Sequence, residues 1–413
     1  MEQRAIIAVG VDVSKGKSIV AIRRPGGVVL AEPFEVNHSA DALSSLVERL
    51  RGLTGDIRIV MEHTGMYWRP IALTLKEAGF FVSVINAILI HNFGDNTIRK
   101  VKTDKADALK IANYALAYWS DLREYSSEDE TRQLLKSQSR VYNRYIKSAT
   151  ALRNCLIAQL DQAFPGANTL FDSYPRVSNG HFKWVDFVAR FWHRDCVAKI
   201  SLNAFIEQYK GWCKRTGYRF NASDAHRIHA SARVCVATLP KTNSVKLLIS
   251  SGVASLNVIY ETLFTLRIEM KRLATLLPEY PVVMSMHGTG SITGPQLMAE
   301  IGDVCRFTHK GALVAFAGVD APPYQSGTFE ATSQRVSKRG SPHLRRTLFQ
   351  ICSIILQTAP YDNSIFQFMC RKRAEGKHYY VYMIAGANKF LRIYYARVKE
   401  YLNGIENGET LSA

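Results

Sequence analysis

Four acidic residues stand where they could act together: Asp12 in Gly10-Val11-Asp12-Val13-Ser14-Lys15, Glu62 in Met61-Glu62-His63-Thr64-Gly65, and the pair Asp104 and Asp107. A hard divalent cation such as Mg²⁺ takes carboxylate oxygens and water as ligands. Two such ions about 3.5–4 Å apart can activate a nucleophile and stabilise a leaving oxygen at phosphorus. Each acid also has a plainer explanation, since a first-turn aspartate complements the helix dipole and a strand-end glutamate is solvated charge. Taken together, and on the elements that must carry them, the four point to metal-assisted phosphodiester chemistry, with all four as catalytic and metal-holding side chains.

Those elements can be read from the apolar pattern. Residues 5–13 are an apolar run broken only by Gly10, short enough for a buried strand and ending next to an acid. Residues 18–23 and 28–32 alternate around Pro25-Gly26-Gly27, which predicts an antiparallel meander. Leu43, Leu46, Val47 and Leu50 have helical spacing; a strand at 57–62, a helix at 68–78, a strand at 81–85 and a helix at 103–118 follow. Three meander strands and then alternating helices and strands is the order of an α/β ribonuclease-H-like (RuvC-like) domain, assigned to residues 1–124. If the first and fourth strands pair, Asp12 and Glu62 become neighbours. Asp104 and Asp107, three apart at a helix start, share one face and can reach over the strand ends.

The middle region, 125–280, is predicted to be α-helical and coiled-coil. A helix from about 126 to 160 places Tyr142, Tyr145, Ala149, Leu152 and Leu156 at spacings of three and four. Leu256, Ile259, Leu263, Leu266, Met270, Leu273 and Leu277 keep a strict 3,4 alternation, a seam that could pair within the chain or between protomers. Residues 162–250 are aromatic and basic and read as a helical insertion; most of its rings are expected in a core, and the functional alternative is stacking on RNA bases. His193 and Cys196 lack partners at zinc spacing, and a zinc site is discounted.

The last region, 281–413, is predicted mostly α. Met286 to Gly294 leads into an apolar helix ending at Ile301-Gly302-Asp303, half of a helix-hairpin-helix-like element whose glycines would let backbone N–H groups approach phosphate. No strand precedes these glycines, so a dinucleotide site is discounted. Arg335, Lys338, Arg339, Arg345 and Arg346 have no acid among them and are predicted to bind nucleic acid, whereas Arg371-Lys372-Arg373 reads equally well as a solvated helix face. Lys and Arg outnumber Asp and Glu by 53 to 35 in 413 residues, for a formal charge of +18, so the expected partner is a polyanion. An apolar stretch near the ~20 residues of a membrane span is lacking, as is the basic-then-apolar layout of a signal peptide, so no membrane and a cytoplasmic location are expected. Seven scattered cysteines without a CxxC pair are expected as reduced thiols.

In these motifs the chain resembles the DEDD transposases of bacterial insertion sequences, a group of bridge-RNA-guided recombinases. At the N-terminal end the likeness lies in Gly10-Val-Asp12-Val-Ser-Lys15, Glu62-His-Thr64-Gly65-Met-Tyr67, Val84-Ile85-Asn86 and Lys102-Thr103-Asp104-Lys105-Ala106-Asp107-Ala108. At the C-terminal end it lies in Gly288-Thr-Gly290, Glu300-Ile-Gly302-Asp303, Phe316-Ala-Gly318, Tyr324-Gln-Ser326-Gly327 and Ser337-Lys338-Arg339-Gly340 with Leu344-Arg345-Arg346. Ala87 stands where the family commonly has proline, and the middle region is longer than in compact members. The resemblance implies a RuvC-like acidic domain, a covalent phosphoserine formed by Ser326, a non-coding bridge RNA that guides DNA choice, and a homo-oligomer, dimer or tetramer, whose acids and serine come from different protomers. Ser333 and Ser337 are the local competitors for the nucleophile. Two other functions stay open on the residues alone: a structure-selective endonuclease using metal-activated water, and a non-catalytic nucleic-acid-binding protein.

Overall fold

The structure is a computed structural model. It describes residues 5–63, 65–93, 103–125, 129–171, 174–321 and 335–407, together with the backbone of 325–326 and 329–330. The chain divides into two compact units, Met1–Ser127 and Glu128–Ala413.

The first unit is built on a five-stranded sheet: β1 (Ile6–Ser14), β2 (Lys17–Arg23), β3 (Val29–Asn37), β4 (Asp56–Glu62) and β5 (Phe81–Ile85), in spatial order β3-β2-β1-β4-β5. β1 to β3 form the expected antiparallel meander, and β4 and β5 run parallel to β1. Helices α1 (Ala40–Arg51), α2 (Trp68–Glu77), α3 (Ala87–Phe93) and α4 (Asp104–Ala117) complete it. Up to Val11, β1 reads as an apolar run interrupted only by Gly10 because both sheet faces are covered. Ile7, Val9 and Val11 share a core with Leu43, Leu46, Leu50, Ile71 and Leu75 of α1 and α2. On the opposite face Ala8, Val60 and Ile85 pack against Ile111, Tyr114 and Ala115 of α4. This is the ribonuclease-H-like arrangement anticipated for the N-terminal region.

The second unit is helical. α5 (Glu130–Ala163) and α10 (Asn243–Thr275) lie along each other. In the row read as a seam, Leu256, Leu263, Met270, Leu273 and Leu277 are buried and Ile259 and Leu266 partly so, all in the core that includes α5. α10 is apolar enough over part of its length to compare with a membrane span, but that row packs within the protein, and Glu261, Arg267, Glu269 and Arg272 punctuate it. Between the two long helices lie α6 (Lys183–Arg190), α7 (Asp195–Ala198), α8 (Leu202–Thr216) and α9 (Ala222–Val234). Their rings are core: Trp184, Phe187, Phe191, Phe205, Tyr209 and Trp212 are all buried together. His193 spends both ring nitrogens on the backbone, at Leu239 O (3.0 Å) and Asp195 N (3.1 Å), which leaves none for zinc.

After α10 come α11 (Tyr280–Met284), α12 (Thr293–Ile301), α13 (Lys310–Ala317), a two-residue hairpin of β6 (Gln325–Ser326) and β7 (Phe329–Glu330), α14 (Pro342–Thr358), α15 (Ser364–Ala374) and α16 (Tyr379–Glu406). The boundary read near residue 280 has no counterpart in the packing. One continuous hydrophobic cluster runs from Leu135 to Val398. All seven cysteines are free thiols.

Candidate active site

Asp12 and Glu62 are brought together by strand register. β1 and β4 pair in parallel down to Val11 opposite Met61, and the two acids follow at the next position of each strand. Side chains alternate along a strand, so Asp12 shares the face of Gly10, and Glu62 that of Val60, which packs under α4.

The second pair arrives on α4. Thr103 is its N-cap, with Oγ1 accepting from Ala106 N at 3.2 Å, and both Asp104 and Asp107 fall in the first turn. The helix can lie over β1 only because residue 10 is glycine. A Cβ there would stand 2.2 Å from Ala108 O and 2.3 Å from Ala112 N, both backbone atoms. Gly10 is thus the contact that lowers α4 onto the strand just before Asp12, one residue after Asp107 in the helix. Its interruption of the apolar run was visible in the sequence; the close approach that explains it was not.

Electrostatics record the convergence. The Asp12 carboxyl is pushed up to about 6, first by burial and then by the negative charges of Asp107, Asp104 and Glu62. Glu62 is also raised, by burial and then Asp107, against opposing pulls from Lys110 and His91. Among the described residues no arginine or lysine forms an ion pair with any of the four. Neither are three acid, histidine or cysteine side chains drawn to within coordinating distance of one point among those residues. The acids stand within electrostatic reach of one another, short of contact, and the set suits a hard divalent cation in its chemistry: oxygen donors, clustered negative charge and raised proton affinity.

The serine lies in the other unit. Ser326 closes β6 and pairs with Phe329, while its side chain falls outside the described residues, as does Ser333. The residues on either side of this stretch are held firmly. Ser337 N donates to Asp320 O (2.9 Å), Lys338 N to Gly318 O (3.2 Å) and Ser341 N to Phe316 O (2.9 Å). Ser337 Oγ donates to Asp320 Oδ1 at 2.5 Å, which ties up that competitor. Gly318 and Gly340 are needed where the two stems touch, since a Cβ on Gly340 would lie 1.9 Å from Phe316 O.

This clasp corrects part of the basic-patch reading. Arg345 donates to Ala317 O and Gly340 O, both at 3.0 Å, and Arg346 donates to Asn143 Oδ1 at 2.6 Å, so these two brace the protein. Arg335, Lys338 and Arg339 are exposed. The glycine turn is also corrected. Gly288 is wedged against Ile351 and Ile355 of α14, the Gly290 N–H is taken by Thr293 Oγ1 at 2.8 Å, and α12 is buried along its whole length, which leaves no open approach for phosphate.

Sequence reading also missed two buried acids of structural importance. Glu279 is buried against Arg132, with Nη2 donating to Oε2 at 2.9 Å, and Glu300 accepts from Arg140 at 3.0 and 3.3 Å and from Ser341 Oγ at 2.9 Å. Burial pushes the Glu300 carboxyl up, yet its hydrogen bonds to Arg140 and Ser341 hold it below the usual glutamate range.

A ribonuclease-H-like domain that gathers acids without paired arginine or lysine among the described residues has the donor set for metal-assisted chemistry at a phosphodiester. Residues 9–165 match the IS110-type DEDD transposase family, and residues 280–366 match the family described as Transposase IS116/IS110/IS902. The chain is 21% identical over 371 residues to the insertion element IS110 uncharacterized 43.6 kDa protein of Streptomyces coelicolor, covering 89% of this chain and 87% of that protein. It is 21% identical over 349 residues to the pilin gene-inverting protein of Moraxella bovis, covering 84% and 81%, and 22% identical to its counterpart in Moraxella lacunata. The chain belongs to the IS110-type DEDD transposases of insertion elements, DNA-cleaving and -rejoining enzymes that depend on divalent metal.

Proposed function

We propose that this transposase cuts DNA by covalent capture on Ser326, with Asp12, Glu62, Asp104 and Asp107 holding Mg²⁺. The observation that carries the metal assignment is a partly buried Asp12 set beside Asp107, Asp104 and Glu62 at one end of the sheet, its carboxyl raised to about 6 first by burial and then by those charges, with no arginine or lysine paired to any of the four among the described residues. Such an arrangement is costly in a protein that does not use it. When bound, the ions polarise phosphate oxygens and offset the charge that builds at phosphorus. Asp12 and Glu62 supply fixed ligands from rigid strands, and α4, seated on Gly10, presents the other two. Ser326 Oγ attacks phosphorus as the serine proton leaves; the bond from phosphorus to the departing strand end breaks, and that end takes up a proton as a free hydroxyl. A phosphoserine conserves the energy of the phosphodiester, so a second strand end can reverse the step without a nucleotide cofactor.

The remaining parts of the reading are a bridge RNA that selects the DNA by base pairing, an oligomer in which acids and serine come from different protomers, and a cytoplasmic enzyme. The formal charge of +18 supports polyanionic partners. In the test, the protein is incubated with an element-end DNA and Mg²⁺ and run on a denaturing gel: wild type gives a protein–DNA adduct, and Ser326→Ala gives none while still shifting the DNA in a native gel. An adduct formed by Ser326→Ala removes that serine, and cleavage by Ser326→Ala without any adduct in wild type favours metal-activated water.

A further inference from the structure

The C-terminal unit contains a groove of about 910 Å³ that none of the acids or the glycine turn explains. One wall is a single face of α16, with Tyr380, Val381, Ile384, Asn388 and Arg392 at helical spacing; Phe368 and Arg371 of α15 form another. Five cations line it, Arg335, Lys338, Arg371, Lys389 and Arg392, and no acid does among the described residues. Its floor is apolar, from Val319, Val336, Val381 and Ile384. Tyr380 is 60% exposed and Val381 50%, in the first turn of α16. Arg371 and Lys389 both stand over the Phe368 ring, at 5.5 and 5.0 Å from its centroid.

Such a surface fits one kind of occupant. A cationic rim with an aromatic and aliphatic floor complements a chain that carries phosphates on one side and unpaired flat bases on the other, which is a single-stranded nucleic acid. A duplex would leave the floor unused, because its bases are stacked inside. Both ends of the stretch that carries the serine lie on the groove. Ala321 and Arg335, five residues before and nine residues after Ser326, both line it, so the stretch bearing the nucleophile departs from and returns to its edge. Lys338, at φ +50°, is the described non-glycine residue with left-handed backbone, and it lies in the returning stem on the rim.

We propose that this groove binds the single-stranded DNA next to the phosphate that Ser326 attacks, with Arg335, Lys338, Arg371 and Arg392 on the phosphates and Tyr380 under a base. Binding of single strands rests on the groove alone; the choice of DNA over RNA rests on the Ser326 reading above. The test uses the full chain in EDTA, where neither the metal nor the serine reaction takes part, and follows fluorescence anisotropy of labelled 15-mers of deoxythymidylate and of uridylate. All substituted side chains are exposed, so the variants retain the fold. Arg335→Ala/Arg371→Ala/Arg392→Ala weakens the DNA 15-mer more than tenfold and lowers the slope of log affinity against log salt by about 2, as the loss of three phosphate contacts requires. Tyr380→Ala weakens it about fivefold or more with the slope unchanged. An oligonucleotide carrying 5-iododeoxyuridine photocrosslinks to the peptide containing Tyr380. Unchanged affinity in both variants, or crosslinks confined to other peptides, overturns the site. Tighter binding of the uridylate 15-mer, lost in the same variants, overturns the DNA assignment. Because no adduct forms under these conditions, a failure of Ser326 in the denaturing gel and a failure of the groove in this assay are separate results.

Discussion

The two units treat buried acid in opposite ways. In the helical unit Glu279 and Glu300 are each only 1% exposed, and each is met by an arginine in two-pronged contact. In the sheet unit Asp12 and Glu62 are partly buried, meet no ion-pairing cation among the described residues and lie beside two further acids; burial first, and then the neighbouring negative charge, raises their proton affinity. A buried carboxylate with its arginine ties elements together; a cluster of carboxylates without one stores repulsion that a divalent cation relieves. Charge alone does not mark an active site. The missing partner does.

The largest effect should come from undoing a pair. Arg132→Leu leaves Glu279 buried and alone, and is expected to destabilise the helical unit by about 3–5 kcal/mol. Denaturant midpoints measure it, and the transition of the sheet unit should not move. Loss of the sheet transition as well would mean that the two units unfold as one. Next is Asp12→Asn, expected to slow strand cleavage at least a hundredfold, the order seen when one preorganised charged or polar group is lost from a site. A rate within threefold of wild type would show that these acids are structural.

Gly10→Ala tests how the acids are positioned. A methyl group meeting the α4 backbone must lift the helix, and overpacking of this kind destabilises by about 1–3 kcal/mol. Cleavage should fall by more than the lost stability accounts for, because Asp104 and Asp107 move with α4. Cleavage that tracks the folded fraction alone would separate the helix position from the chemistry.

The smallest effect is a pH dependence. Asp12 binds its proton more tightly in the folded state, up to about 6 against 3.8 when free, so the fold gains from protonation. That gain is complete below about pH 3.8 and is lost as pH rises through 6. In EDTA the sheet unit should therefore become less stable across this window, by about 1 kcal/mol after allowing for solvent screening of a partly exposed group. Asp12→Asn should flatten the profile and raise stability at neutral pH. An unchanged slope in that variant would mean that another group carries the dependence.

Much of the acid site was legible because its determinants are local. A strand covered on both faces is largely apolar, so the runs at 5–11 and 59–61 stood out, and the acids that follow them, Asp12 and Glu62, came with them. Asp104 and Asp107, three apart at the head of a helical stretch, marked a helix start from local pattern as well. The C-terminal unit was harder to read because its partners are far apart in sequence. Arg346 meets Asn143 across 203 residues and Arg140 meets Glu300 across 160, so no charge count along the chain could tell bracing arginines from free ones. The Gly288–Gly294 turn misled for another reason. Glycine permits close approach without saying of what, and here it is α14. The groove on α16 was invisible in sequence because its cations come from three separate stretches, and Arg371 alone looked like ordinary solvated charge.

The clasp between residues 316–320 and 337–341 also sets what an insertion would cost. Because both ends of the intervening stretch are fastened by backbone hydrogen bonds and the Asp320–Ser337 contact, joining them adds little entropy whatever lies between, and each doubling of length costs only about 0.6 kcal/mol. Residues inserted between Asp320 and Ser337 should therefore change the stability of the helices beneath by little.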